Sequence, residues 1–228
     1  MNKEIGLYIF KVFVDEKGNY GNPVGIVIDE QAKISKNQRQ KICINSGFSE
    51  VVFINNIRNC NISIFSPTRE IEFAGHAVIG TVSFLDKLNN TKVDSIECLG
   101  HKILVRHEDS IIWLKADLKT MPDWNFKEFG SAGEVNKLDL SQASKFKHCY
   151  VWSWQDKKNH TIRARTFASD WLIPEDEANG SGSMLLSKMQ KCNLKIKHGK
   201  GSVIYANYIN SNYAEVGGLV VEKHSINI

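Results

Sequence analysis

One stretch constrains this chain more than any other: Ser66-Pro67-Thr68-Arg69-Glu70-Ile71-Glu72-Phe73-Ala74-Gly75-His76-Ala77-Val78-Ile79-Gly80-Thr81. An apolar segment, Asn61 to Phe65, runs into it as a strand. Pro67 bars helix continuation and sets an extended or turned approach. Gly75 lets the backbone turn tightly. From Ala77 the period becomes helical, with Val78, Val82 and Leu85 on one face and Ile79 and Leu88 widening it. No charge falls between Ala77 and Leu85, so the helix is expected to be enclosed on most sides. Strand, glycine turn and a polar residue at a helix start describe a place for an anion, because the first turn offers unpaired N–H groups and the positive end of the dipole.

A second copy gives the pattern weight. Ile173-Pro174-Glu175-Asp176-Glu177-Ala178-Asn179-Gly180-Ser181-Gly182-Ser183 also follows a strand, Thr161 to Ala168. It too passes through proline, acid and glycine into an apolar helix, with Leu185, Met189 and Cys192 expected on one face. Two strand–turn–helix units about a hundred residues apart imply internal duplication. The expected arrangement has two lobes whose helix starts, near His76 and Ser181, face one cleft.

Glu50 heads the apolar run Val51-Val52-Phe53-Ile54. A carboxylate against such a run is costly to ionise unless paired, so its pKa is expected to rise. Asn22 precedes Pro23, which extends its backbone and lets its side chain address a ligand or a turn. Ser35 with Gln38 reads as a capping box, and Gly47 as the end of the helix it opens.

Composition excludes several classes. The net charge of +4 is too small to argue for nucleic acid. The series Lys188, Lys191, Lys195, Lys197 and Lys200 reads as a solvated face. Five widely spaced cysteines, with no Cys-x-x-Cys, fit a reducing compartment rather than a disulfide framework or zinc site. The stretch Met1 to Phe10 reads as a strand, not a leader, and no apolar run approaches a membrane span. A cytoplasmic protein without membrane association is expected. Neither a metal-ligand cluster nor a nucleotide-binding glycine motif is present, so no cofactor is expected.

Gly21-Asn22-Pro23, Ser49-Glu50-Val51-Val52-Phe53, Pro67-x-x-Glu70 with Phe73-Ala74-Gly75-His76-Ala77, and Glu175-Asp176-x-Ala178-x-Gly180-Ser181 occur in that order. Together they resemble the phenazine-biosynthesis PhzF-like family, within the diaminopimelate epimerase-like fold. The resemblance implies an α+β protein of two pseudo-symmetric lobes, residues 1–116 and 117–228, each a curved, mainly antiparallel sheet around a central helix. The second lobe is expected to be shortened, and its last strand to return to the first. The resemblance further implies a cofactor-independent isomerase that moves a carbon-bound proton on a small carboxylated metabolite. Glu50 would be the catalytic acid/base, with Asn22, Gly75, His76, Asp176, Gly180 and Ser181 binding substrate, in a homodimer. The alternative is a catalytically silent small-molecule-binding member of the fold. Cysteines at the two helix starts, used by the diaminopimelate epimerase branch, are replaced here by His76 and Ser181. Three residues depart from the PhzF-like pattern: Glu177 for proline, Asn179 for threonine and Gly182 for alanine. Glu177 is expected to repel an anion at the second helix start.

Overall fold

The computed structural model describes residues 5–143, 145–171 and 173–228. Met1 to Glu4, part of the expected first strand, lie outside it. By internal contacts the chain forms two units. The first comprises Met1–Val12, Pro23–Lys115 and Leu219–Ile228, and the second Phe13–Asn22 and Ala116–Gly218. Where the sequence reading drew one boundary, at 116/117, the chain passes between units at four places.

In the first unit, β1 (Gly6–Val14, up to Val12) and β2 (Tyr20–Ile28, from Pro23) precede α1 (Lys36–Ser46). β3 (Val51–Asn56) lies parallel to β2 and antiparallel to β4 (Asn61–Phe65). The two-residue β5 (Glu70–Ile71) folds back on β4 and delivers the chain to α2 (Gly75–Asn89). β6 (Ser95–Cys98) then lies parallel to β4. The antiparallel strands β7 (His101–Glu108) and β8 (Ile111–Asp117) complete the order. Residues Gly75 to Val82 of α2 are all buried, as the charge-free run required. Gly80 makes the close packing possible: a Cβ there would lie 2.7 Å from Val24 Cγ1. Leu88 is exposed and does not extend the buried face.

The second unit repeats this order. β9 (Asn125–Glu128) is followed by the short helices α3 (Ala132–Lys137) and α4 (Leu140–Ala143), where α1 stands in the first unit. β10 (Cys149–Asp156) is parallel to β9 and antiparallel to β11 (Thr161–Ala168). The short β12 (Ile173–Asp176) folds back on β11 and leads into α5 (Gly180–Gln190). β13 (Leu194–His198) is parallel to β11, and β14 (Ser202–Tyr208) and β15 (Tyr213–Asn227, up to Gly218) follow antiparallel. The fold is thus α+β, with antiparallel pairs in the majority and parallel pairs at β2/β3, β4/β6, β9/β10 and β11/β13.

β2 begins at Tyr20, so Asn22-Pro23 lies in a strand, in the extended form that Pro23 imposes on the residue before it. Proline's fixed φ suits extended backbone, and Gly21 N–H is satisfied off the ladder by Ser202 Oγ at 2.9 Å. On α5 the buried residues are Gly180, Gly182, Ser183, Met184, Leu186 and Ser187, while Met189 is exposed. Small residues, silent in a hydrophobic period, mark the packed side of this helix.

Candidate active site

Glu50 is placed by the elements on either side of it. α1 opens with the expected capping box and ends at Gly47, whose φ of 71° is left-handed. Four residues later, at Val51, the chain enters β3, whose first four residues are buried. Glu50 therefore sits between a helix stop and a buried strand, with its carbonyl accepting from Gly25 N–H. Its carboxylate lies 2.9 Å from His76 Nε2, and the two side chains are 15% and 9% exposed. The pairing is one of distance and charge, since Glu50 Oε2 lacks a well-aligned hydrogen bond. Burial acts most strongly on Glu50 and pushes its pKa up. The His76 charge, contact with that imidazole and the Ser49 hydroxyl outweigh it, so the carboxyl titrates below its usual range. The expected rise in pKa is corrected: the apolar strand supplies the burial, but the partner decides the direction.

His76 is the second residue of α2, directly after Gly75. Ala74, at the N-cap position, has no side chain to cap the first turn, and the first helical bond runs from Val78 N–H to Ala74 O. The segment leading there is fixed by α1. Cys43 Sγ donates to Phe65 O, Gln40 Nε2 donates to Ser66 O at 2.7 Å, and Lys36 pairs with Glu70. Glu50, Gly75 and His76 thus come together within the first unit.

In the second unit, Asn22, Asp176, Gly180 and Ser181 gather around the start of α5. Asn22 Nδ2 donates to Asp176 Oδ1 at 2.9 Å and to Ala178 O at 3.3 Å. Asp176 also accepts from Ala178 N–H and Asn179 Nδ2. Asn179 caps the helix, its Oδ1 accepting from Gly182 N–H at 2.6 Å. Ser181 Oγ accepts from Trp124 Nε1 at 2.9 Å and donates to Asn179 Oδ1. The two helix starts are therefore chemically unlike: α5 is capped by a side chain and α2 is not.

The three departures from the PhzF-like pattern have local causes. Glu177 does not stand as a loose charge beside Asp176. Its carboxylate accepts from Lys200 N–H and from Ser202 Oγ at 2.7 Å, bracing the turn between β13 and β14. The expected repulsion at α5 is replaced by that bracing. Asn179 supplies the cap. Gly182 leaves room for Tyr150, whose Cδ2 would lie 2.3 Å from a Cβ at that position. Sequence reasoning assigned no part to Ser49 or Trp124. Ser49 could have been found from its place beside Glu50, and its hydroxyl is buried there. Trp124 lies far from Ser181 in sequence, and no spacing announces the bond.

The sequence model of the PhzC-PhzF family, phenazine biosynthesis-like protein, matches residues 10–101. Over 64 residues the chain is 41% identical to trans-2,3-dihydro-3-hydroxyanthranilate isomerase of Pseudomonas chlororaphis, a match spanning 27% of this chain and 23% of that enzyme. Similarity of fold extends much further. A PhzF-family phenazine biosynthesis protein of Enterococcus faecalis matches with a TM-score of 0.80 and 18% identity, over 99% of both chains. A second half of this length is therefore shared with that structure. A hydroxyproline epimerase from Agrobacterium vitis matches at a TM-score of 0.64 and 9% identity, over 100% of this chain and 93% of its own. In sequence across residues 10–101, and in fold across almost its whole length, the chain is PhzF-like.

Proposed function

We propose that this chain is a PhzF-like isomerase that moves a carbon-bound proton on a small carboxylated metabolite without a cofactor. The observation that carries the reading is the buried Glu50–His76 pair at the junction of β3 and α2. A carboxylate held below its usual pKa is ionised at neutral pH, which is the state that accepts a proton. Taking a proton from carbon beside a carboxylate or imine leaves an anion. An uncapped first helical turn stabilises negative charge without reorganising. Glu50 then returns the proton at another carbon, and no redox partner is required. We assign substrate binding to Asn22, Gly75, His76, Asp176, Gly180 and Ser181. The isomerase named among its relatives supports the reaction class.

A second reading is a silent binding member of the fold. It is favoured by the way Asn22, Asp176, Asn179 and Ser181 satisfy one another. Incubation of a metabolite pool with the protein in deuterated buffer, followed by mass spectrometry, separates the two. The isomerase places deuterium at carbon in a specific compound, and the silent member labels nothing. The anion site has its own test. Small carboxylates soaked into crystals are expected at the start of α2, which no side chain caps, in preference to α5, which Asn179 caps. Density only at α5 would contradict this assignment.

The cytoplasm suits the five free cysteines, three of them buried. Among the described residues no helix is long and apolar enough to cross a membrane. The homodimer implied by resemblance is to be read by sedimentation.

A further inference from the structure

Buried polar atoms without an aligned hydrogen bond are rare, because each gives up its hydration for nothing in return. Two of them stand on consecutive residues. Ser49 Oγ and Glu50 Oε2 are both shut off from water, and neither has an aligned partner. Consecutive side chains in a strand point to opposite faces. That rule does not hold at Ser49, because the chain bends there, two residues before β3 begins at Val51. The hydroxyl therefore bears on the carboxyl of its own neighbour.

The other groups around Glu50 are less adaptable. Among the described residues, His76 faces it from α2, with Nε2 2.9 Å from Oε2. Cys43 bears on it from α1. Burial above all, together with the Glu50 charge, pushes the Cys43 thiol up to about 11, so it stays neutral, and its Sγ donates to Phe65 O. A carboxyl that shuttles a proton needs a neighbour that suits both of its states. A cation favours the ionised state alone. A hydroxyl is donor and acceptor in one, and it turns about a single bond. Donation to a charge is the stronger of its two bonds, so its net effect is to hold the carboxyl ionised.

We propose that Ser49 is a positioning residue for Glu50: its hydroxyl donates to the ionised carboxylate and turns to accept from the protonated one. Its consequence for turnover rests on Glu50 as the proton shuttle, as proposed above. The hydrogen bond itself does not.

Carbon-detected NMR titration of the Glu50 carboxyl in the intact protein tests the bond without any substrate. One hydrogen bond to a charged group moves a pKa by about one unit. The Glu50 midpoint should rise by about that much in Ser49→Ala and return close to its original value in Ser49→Thr, which restores the hydroxyl. The acid limb of carbon–deuterium exchange should move up with the midpoint in Ser49→Ala, while KM on the plateau stays unchanged, because Ser49 acts through Glu50 and not on the substrate. A midpoint unmoved in Ser49→Ala, or raised equally in Ser49→Thr, would overturn the proposal. Should Ser49→Ala fail to fold, Ser49→Cys, a weak donor of similar size, is judged by the same two results. A midpoint that shifts in a protein that labels no metabolite would uphold the hydrogen bond and remove the shuttle. Labelling by the unaltered protein, with a midpoint that Ser49→Ala leaves in place, would do the reverse.

Discussion

At the scale of single residues, the position of Glu50 was legible and its electrostatics were not. An acid before four apolar residues announces burial, but its partner His76 is 26 positions further along the chain. Only folding of β4, β5 and α2 brings the imidazole within 2.9 Å. The sign of the pKa shift leads to a test. Ionised Glu50 stabilises the fold fully above its unfolded value near 4.5, and that contribution is lost as pH falls through the depressed folded value. His76→Asn removes the opposing charge and leaves burial countered chiefly by the Ser49 hydroxyl. The pKa of Glu50 should then rise, moving the acid limb of carbon–deuterium exchange to higher pH. A pH–rate profile of the variant checks this, and an unmoved limb would mean that another group governs it.

At the scale of elements, apolar period and glycine punctuation found α2, α5 and the strands that lead to them, Asn61–Phe65 and Thr161–Ala168, because burial selects those patterns. They missed the packed face of α5, where small residues make the contact. They also missed the two-residue β5 and the four-residue β12, too short to carry a period. Gly182 shows what replaces the missing signal. Tyr150 is fully buried, its hydroxyl 2.9 Å from Ser183 Oγ, so it cannot withdraw from a new methyl group. Gly182→Ala, although alanine has the higher helix propensity, should destabilise the protein by about 1–3 kcal/mol through overpacking. Urea denaturation at constant m-value measures the loss, and a stabilised variant would show that Tyr150 has room to move.

At the scale of the whole molecule, the duplication seen in two short motifs extends through both units. β3/β4 and β10/β11 carry matching irregularities, after Ile54 and after Trp154. The residues closing those turns, Cys60 and His160, are both left-handed. The two motifs share a proline, an acid and a glycine, but α5 is capped by a side chain and α2 is not, so the duplication is fuller in the backbone than in the side chains. The second unit also holds a buried titratable group, His198. Its Nδ1 lies 2.9 Å from Glu177 O and must donate to it, so Nε2 accepts from Thr166 Oγ1 in a neutral imidazole. Burial is the main cause that pushes its pKa down to about 4. Unfolded histidine takes its proton near 6.5, so stability should fall as pH drops from 6.5 towards 4, by on the order of 3 kcal/mol. Denaturant midpoints across that range should show a shallower fall for His198→Asn than for the unaltered protein, and parallel curves would count against the assignment. The central claim is that Glu50 shuttles the proton, and Glu50→Gln tests it most directly, because the amide keeps the shape but takes no proton. In deuterated buffer, labelling of the metabolite exchanged by the unaltered protein should fall by about two orders of magnitude in this variant, with its thermal unfolding intact. Labelling by Glu50→Gln at the rate of the unaltered protein would contradict the account.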